Sequence, residues 1–256
     1  MKRATASKIT ISRETPLANR NVSMSNTIVS AAHALNLSEK RIVSAGLAKL
    51  DSMAKKAPTR PIRITAVEFA ECFGIDETTA YEQLQKATKS FYQRSIRRAI
   101  DTPYGRKFEE IRWIDRAVYH RGEGYVELNF TSHISPYLMA LEKRFTTYKL
   151  EQTRALRSIH SWRLFENLKR WESTGKWIVE IEDFHHAMEA TPSYRSNFAQ
   201  LRKWVIEPAV RELREVNGLD ISWTCHKTGR KVTRLVFLFE RASQMTMELV
   251  PPTEAS

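Results

Sequence analysis

Between polar ends, the apolar residues of this chain change period in the same order twice. In the first pass, Ser38 is placed to cap a helix that carries Ile42, Val43, Leu47, Leu50 and Met53 at three- and four-residue steps. Lys55-Lys56-Ala57-Pro58 stops it. Ile62-Arg63-Ile64 alternates as a short strand, Thr65 opens a short helix through Phe69, Ala70 and Phe73, and Gly74 closes it. Asp76 caps the next helix, whose stripe is Tyr81, Leu84, Thr88 and Phe91. Strands at about 111–119 and 125–130 follow, joined by Arg121-Gly122-Glu123-Gly124.

The second pass starts with a helix over about 152–172, with Leu164, Phe165, Leu168 and Trp171 on one face and Gly175 as its stop. A strand at 177–181, a short helix at 182–190 and a turn at Thr191-Pro192-Ser193 lead into a long helix. That helix runs from near Tyr194 to Asn217-Gly218. Strands at 219–225 and 232–239 then form a hairpin over Lys227-Thr228-Gly229-Arg230. Helix, strand, short helix, turn, long helix and hairpin is the order of a winged helix, so the pattern predicts an α+β chain of two tandem winged-helix (winged helix-turn-helix) domains. The first spans 25–145 and the second 146–241, flanked by a basic polar tail over 1–24 and a second tail over 242–256.

Charge narrows the partners. Lys plus Arg is 41 against 29 for Asp plus Glu, a net charge of +12. A folded chain of that sign meets phosphates, where binding releases counterions. A membrane surface would need a basic amphipathic helix with an apolar face left over for lipid, and both cores claim the apolar faces here. Without an apolar run after the first residues, a secretory signal is not expected, and the cytoplasm is the expected compartment. Cys72 and Cys225 read as reduced thiols in apolar stretches, too few for a zinc site. No phosphate loop ending in Gly-Lys-Ser/Thr exists, and the only paired histidines, His185-His186, read as ordinary residues of the short helix, one facing in and one out. No cofactor, metal or catalytic residue is expected, and the chain reads as a binder rather than an enzyme.

The long helix of the second pass is the most informative stretch. Phe198, Leu201, Val205, Ala209, Leu213 and Val216 form one buried stripe. The opposite side, near the N-terminus, carries Tyr194, Arg195, Ser196, Asn197, Gln200, Arg202 and Lys203, and acids enter only at Glu207, Glu212 and Glu215. A helix end of this kind fits the major groove of duplex DNA, where Arg bonds to guanine, Asn or Gln to adenine, and hydroxyls to phosphate. Pro208 inside the pattern predicts a bend. At the hairpin tip, Lys227, Arg230 and Lys231 surround Gly229 and reach toward phosphate, with His120 and Arg121 a weaker counterpart in the first domain. In the first domain, Thr78, Thr79 and Gln83 face forward on the long helix, and Lys86, Lys89, Arg94, Arg97 and Arg98 read as backbone contacts.

These residues also carry a resemblance. The runs Ile62-Arg63-Ile64-Thr65-Ala66-Val67-Glu68-Phe69, Tyr81-Glu82-Gln83-Leu84-Gln85-Lys86-Ala87, Gly124-Tyr125-Val126-Glu127-Leu128-Asn129-Phe130 and Ile134-Ser135-Pro136-Tyr137-Leu138 mark the first half. Tyr194, Phe198, Leu201, Val205-Ile206-Glu207-Pro208-Ala209, Glu212-Leu213 and Lys227-Thr228-Gly229-Arg230-Lys231-Val232 with Leu235 and Phe237 mark the second. In order and spacing over about 25–240, the chain resembles the iteron-binding replication initiators of theta-replicating bacterial plasmids. The resemblance implies binding to direct repeats at an origin, opening of adjacent A·T-rich DNA, and recruitment of the host initiator and replicative helicase. It also implies a monomer–homodimer equilibrium shifted by host chaperones, autorepression by the dimer, and a dimer surface on the first domain. It places the main groove contacts on Arg195, Arg202 and Lys203. The residues themselves leave open the alternative of a dedicated winged-helix transcriptional repressor.

Overall fold

The computed structural model describes residues 15–31, 34–50, 61–139 and 144–241. The chain divides into two compact units, one through Ala155 and one from Leu156. The first contains β1 (Asn21–Ser25), α1 (Asn26–Ser30), α2 (Leu37–Lys49), β2 (Ile62–Thr65), α3 (Ala66–Phe73), α4 (Glu77–Phe91), β3 (Ser95–Thr102), β4 (Gly105–Arg112), β5 (Ile114–His120), β6 (Tyr125–Phe130), α5 (Ser135–Leu138) and β7 (Phe145–Lys149). The second contains α6 (Ile159–Arg170), β8 (Lys176–Glu180), α7 (Ile181–Ala187), α8 (Pro192–Ser196), α9 (Phe198–Leu201), a π-turn at Arg202–Ile206, α10 (Glu207–Asn217), β9 (Leu219–Thr228) and β10 (Lys231–Arg241).

In the first unit, the helices take their starts from side-chain caps. Asn36, not Ser38, caps α2: its Oδ1 accepts from the Glu39 amide at 2.9 Å while Glu39 accepts from the Asn36 amide at 2.8 Å. Thr65 and Glu68 repeat this reciprocal arrangement on α3, and Gly74, at φ 62, ends that helix. Asp76 caps α4. Behind these helices stands the antiparallel sheet β2-β6-β5, and Ile42, Leu47, Ile64, Phe69, Leu84, Phe91, Trp113 and Leu128 fill the space between. Met53 and Lys55–Pro58, expected to close α2, lie outside the described residues.

Three sequence expectations are corrected here. Residues 21–25 do not belong to a tail: β1 pairs with β7, burying Val22 and Met24 beside Tyr148. That pairing also moves the boundary expected between 145 and 146, because Phe145–Lys149 is a strand of the first unit. The single strand expected at 111–119 is two. Arg112 ends β4, Trp113 turns inward with its amide on the Arg94 carbonyl, and Ile114 begins β5. The additional hairpin β3-β4 was not expected at all.

The second unit sets the antiparallel sheet β8-β10-β9 against α6, α7 and α10. Trp177, Phe184 and Phe237 stack within 5.4–5.8 Å of one another at its centre. The first helix is shorter than expected: Ser158 caps α6, and Trp171 falls beyond its end, 38% exposed rather than on the buried face. The stretch read as one long helix is broken. Thr191-Pro192-Ser193, expected as a turn, opens the helical turn α8, and Asn197 leaves the helical region at φ −133, ψ 96. Asn197 then caps α9, which runs through the π-turn into α10. Leu201, Val205, Ala209 and Leu213 are buried as expected, Phe198 is half-buried edge-on to Trp223, and Val216 is exposed in the last turn before Gly218. No helix among the described residues is long and apolar enough to cross a membrane. Both cysteines are free; Cys72 is buried, and burial pushes its thiol up to about 12.

One buried charge organises the first unit. The Glu39 side chain is fully buried and accepts from Asn36 on its own helix, from the Ser90 hydroxyl, and from Arg94 Nε at 2.9 Å. Glu39→Ala leaves Arg94 and Ser90 without their acceptor and removes half of the cap. The expected loss is about 2–4 kcal/mol in urea unfolding of the whole protein, toward the lower side because Arg94 keeps access to water. A loss below about 0.5 kcal/mol would show that the group is not integral to the fold.

Candidate nucleic-acid interface

The second unit brings most of the expected contacts onto one helical end and one hairpin tip. Thr191 accepts from the Tyr194 amide and starts α8, leaving Tyr194 half-buried and Arg195 and Ser196 exposed. Arg195 is anchored through Nε to the Ala190 carbonyl at 2.9 Å. The Ser196 hydroxyl donates to the Ser193 carbonyl at 3.1 Å, so its proton is already committed in this rotamer. Asn197 accepts from the Gln200 amide at 3.2 Å, which makes it the cap of α9.

Gln200, Arg202 and Lys203 are exposed on the following turn. Arg202 is held on two sides, by Glu207 at 2.6 Å and by the Trp223 ring at 5.8 Å, and Lys203 lies over Trp204 at 4.9 Å. The expectation that acids keep away from the basic end is therefore corrected for Glu207, which the π-turn brings back onto Arg202. Trp204, Trp223 and Glu207 thus touch the candidate cations, contacts that the sequence did not predict. The run Arg202-Lys203-Trp204, cations beside an aromatic, was the available signal for the first of them.

The wing is sharper than expected. Thr228 pairs with Lys231, so the loop is the two residues Gly229 and Arg230, with Gly229 at φ 60. A positive φ at that position matches the twist of the flanking strands. Lys227, Arg230 and Lys231 are exposed around it, and among the described residues none of them forms an ion pair.

A buried network braces the turn that precedes the basic end. Arg163 of α6 donates to the Ala187 carbonyl at 3.1 Å and pairs with Glu189 at 2.5 Å, across the turn after α7. His185 is buried and His186 exposed, the in-and-out pattern expected from the sequence. Burial lowers the pKa of His185, opposed by Glu182 and supported by Arg195. Burial also lowers His160, with the charge of Arg163 acting in the same direction and Glu189 against it.

The first unit offers a different surface. Thr78 and Thr79 are exposed at the start of α4, but both bond back to Asp76, and Gln83 donates to the Thr79 hydroxyl at 3.0 Å. Lys86 is exposed, and Lys89 lies over the Tyr119 ring at 5.7 Å. Arg94 departs from the expected phosphate contact, since its Nε serves buried Glu39. Arg97 stands on β3, highly exposed and 3.5 Å from Glu110. Arg98 pairs along the backbone with Glu109, and its side chain lies outside the described residues. The stretch from Lys86 to Lys107 is thus no single basic patch, because it splits between a helix end and a hairpin. At the tip between β5 and β6, His120 stacks on Tyr125 and Arg121 sits 3.7 Å from Glu82.

In each unit, helices pack on a three-stranded antiparallel sheet whose last hairpin follows the longest helical stretch. Two such units in one chain define a tandem winged-helix protein. Residues 21–169 match the family described as Initiator Replication protein, WH1, and residues 180–239 match Initiator Rep protein, WH2, so the chain belongs to the replication initiator protein family. Among its relatives is a replication initiation protein of Escherichia coli, 28% identical over 193 residues, which are 73% of this chain and 58% of that one. The chain thus spans a little over half of that relative's length. The PI protein of Escherichia coli is 24% identical over 260 residues, covering 90% of this chain and 84% of its own. The crystal structure of Pi initiator protein in complex with iteron DNA superposes with a TM-score of 0.74 at 22% identity, over 87% of this chain and 97% of that one, a likeness of fold.

The histidines give the second unit a pH dependence. Both are held below their ordinary value, so the unfolded chain takes up protons that the folded unit refuses. Stability is therefore level above about pH 6.5 and falls as the pH drops below it, until the folded values are passed. Urea unfolding at about pH 7.5 and about pH 5.5 reads this slope, and His160→Asn is expected to flatten it. An unchanged slope in that variant would trace the effect to other groups.

Proposed function

We propose that this chain initiates replication of a bacterial plasmid by binding direct repeats at the origin as duplex DNA, from the cytoplasm and without covalent chemistry of its own. The observation that carries this reading is the pairing of Gln200, Arg202 and Lys203 on one helical end with Lys227, Arg230 and Lys231 on the wing of the same unit. Family membership supports the initiator role, and the iteron DNA in the structure of the Pi initiator supports direct repeats as the target. The helical end enters the major groove, where Arg202 meets guanine with two parallel bonds and Gln200 meets adenine. Trp223 and Glu207 hold the Arg202 side chain before DNA arrives, which reduces the ordering cost of binding. The wing cations lie against phosphate and supply affinity that is independent of sequence. The first unit adds Thr78, Thr79, Gln83, Lys86 and Lys89 as polar and cationic contacts, and it carries the self-association surface. The bound protein recruits the host initiator and the replicative helicase, and host chaperones shift its dimers to monomers.

Footprinting on the native plasmid origin tests the reading, with protection of several direct repeats beside an A·T-rich stretch as the expected result. Protection of a lone inverted repeat would identify a repressor instead. On the protected repeat, Arg202→Ala is expected to weaken binding by about 1–3 kcal/mol and to relax preference at one base position; uniform loss on all sequences would make Arg202 a phosphate contact. Lys231→Ala is expected to weaken all sequences alike and to lower the slope of log affinity against log salt by about 1, and an unchanged slope would remove Lys231 from the interface.

A further inference from the structure

Pro208 stands two residues beyond the π-turn, at the second position of α10. In an unbroken α-helix the amide of residue 208 would bond to the Trp204 carbonyl, but proline has no N–H and its ring strikes that carbonyl. The π-turn relieves the conflict. The Glu207 amide donates back to the Arg202 carbonyl, five residues earlier, so the turn takes in an extra residue.

That extra residue changes the angular register of the helix. At about 100° per residue, the steps from Leu201 to Leu213 overshoot three full turns by roughly 120°. Yet Leu201, Val205, Ala209 and Leu213 are all buried, with Leu201 and Leu213 fully so. One residue absorbed by the π-turn takes back on the order of 100° and returns Leu201 to the side of Leu213. Arg202 and Lys203 belong to the same turn, and the Arg202–Glu207 pair closes across it at 2.6 Å. The rotation that seats Leu201 in the core is therefore the rotation that aims the exposed cations.

We infer that Pro208 is a specificity-setting positioning residue: through the π-turn it fixes the angle at which Gln200, Arg202 and Lys203 face the bases. The inference rests on the DNA-reading function proposed above. Pro208 itself is half-buried and need not touch DNA. A helix free to close in α-geometry swings its reading end relative to the stripe at Ala209 and Leu213, while the wing on β9 and β10 keeps its phosphate contacts. Base preference then changes and sequence-independent affinity does not. A purely structural role would do the opposite, weakening binding to every sequence alike.

The test is selection by the full-length chain from a duplex library with about 20 randomised base pairs, comparing the wild type with Pro208→Ala and, as a second variant, with Pro208→Ser. The wild type is expected to enrich one repeat. The variants are expected to enrich an altered or relaxed one, preferring the wild-type repeat over random duplex by a margin at least about tenfold smaller. Their affinity for random duplex and their salt slope are expected to stay within about twofold of wild type. If the wild type enriches nothing, the sequence-reading function falls and takes this inference with it. If the wild type enriches a repeat and the folded variants prefer it by the same margin, the function stands and the role of Pro208 is overturned. Loss of cooperative unfolding in both variants would assign the turn to core packing alone and equally reject the proposal.

Discussion

A helix that fills a core on one side and presents cations on the other performs both tasks with one rotation about its axis. In the second unit that rotation is fixed from inside by Leu201, Val205, Ala209 and Leu213, all buried, with α10 packed on α6 and β9. Close packing leaves no freedom to turn the outer face separately, because a buried leucine cannot swing out of its site without losing several kcal/mol of transfer and contact energy. The reading face is thus a consequence of the core. Around it the supports are also internal: Arg163 and Glu189 pin the turn before α8, and Trp223, from the sheet, lies against Arg202.

Net charge of +12 says that the chain seeks phosphate, but it does not say where. The ion pairs sort the cations. Arg94 and Arg163 serve buried carboxylates or carbonyls and hold elements together. Arg97 with Glu110, Arg234 with Glu180 and Arg202 with Glu207 are exposed pairs, individually weak and screened by salt, so a phosphate or a base can replace the carboxylate at little cost. Lys86, Lys203, Lys227, Arg230 and Lys231 have no ion pair among the described residues. Three of those five sit on one wing tip, which makes the wing the most concentrated unneutralised charge described.

The elements legible in the sequence are those whose signal is local. Gly74 and Gly218 mark helix ends because a positive φ is needed there, and Gly229 marks the wing for the same reason. The strands over Ile62–Thr65 and Tyr125–Phe130 alternate strongly enough to be read at sight. What escaped depends on partners remote in sequence. β1 has only Val22 and Met24 as apolar residues among serines and asparagine, and it is a strand because β7, more than a hundred residues later, completes it. β3 and β4 pair mostly polar, charged faces, so no hydrophobic period announces them. At the site, the identity of the exposed cations was readable, but their bonds were not. Arg94 and Arg97 look alike in sequence, and only the fold places a buried carboxylate beside one of them. The π-turn was foreshadowed by Pro208, although a bend was expected where the chain instead changes register.

The two units share an architecture and differ in how they are equipped to meet DNA. At the start of α4, Asp76 collects the amide and hydroxyl of Thr78 and bonds from Thr79, and these hydrogen bonds hold its carboxylate below the usual range; Gln83 then leans on Thr79. That face is polar and hydrogen-bonded to itself, so each contact it makes with a base displaces a bond already formed, and the net gain is small. The corresponding end of the second unit presents Gln200, Arg202 and Lys203 as donors, with Arg202 restrained by a pair that water already weakens. Charge-assisted bonds to base edges are roughly twice as strong as neutral ones. The same fold therefore yields one helix start bonded to itself and another helix end that presents cationic donors, and the difference arises from what stands three to five residues along each helix.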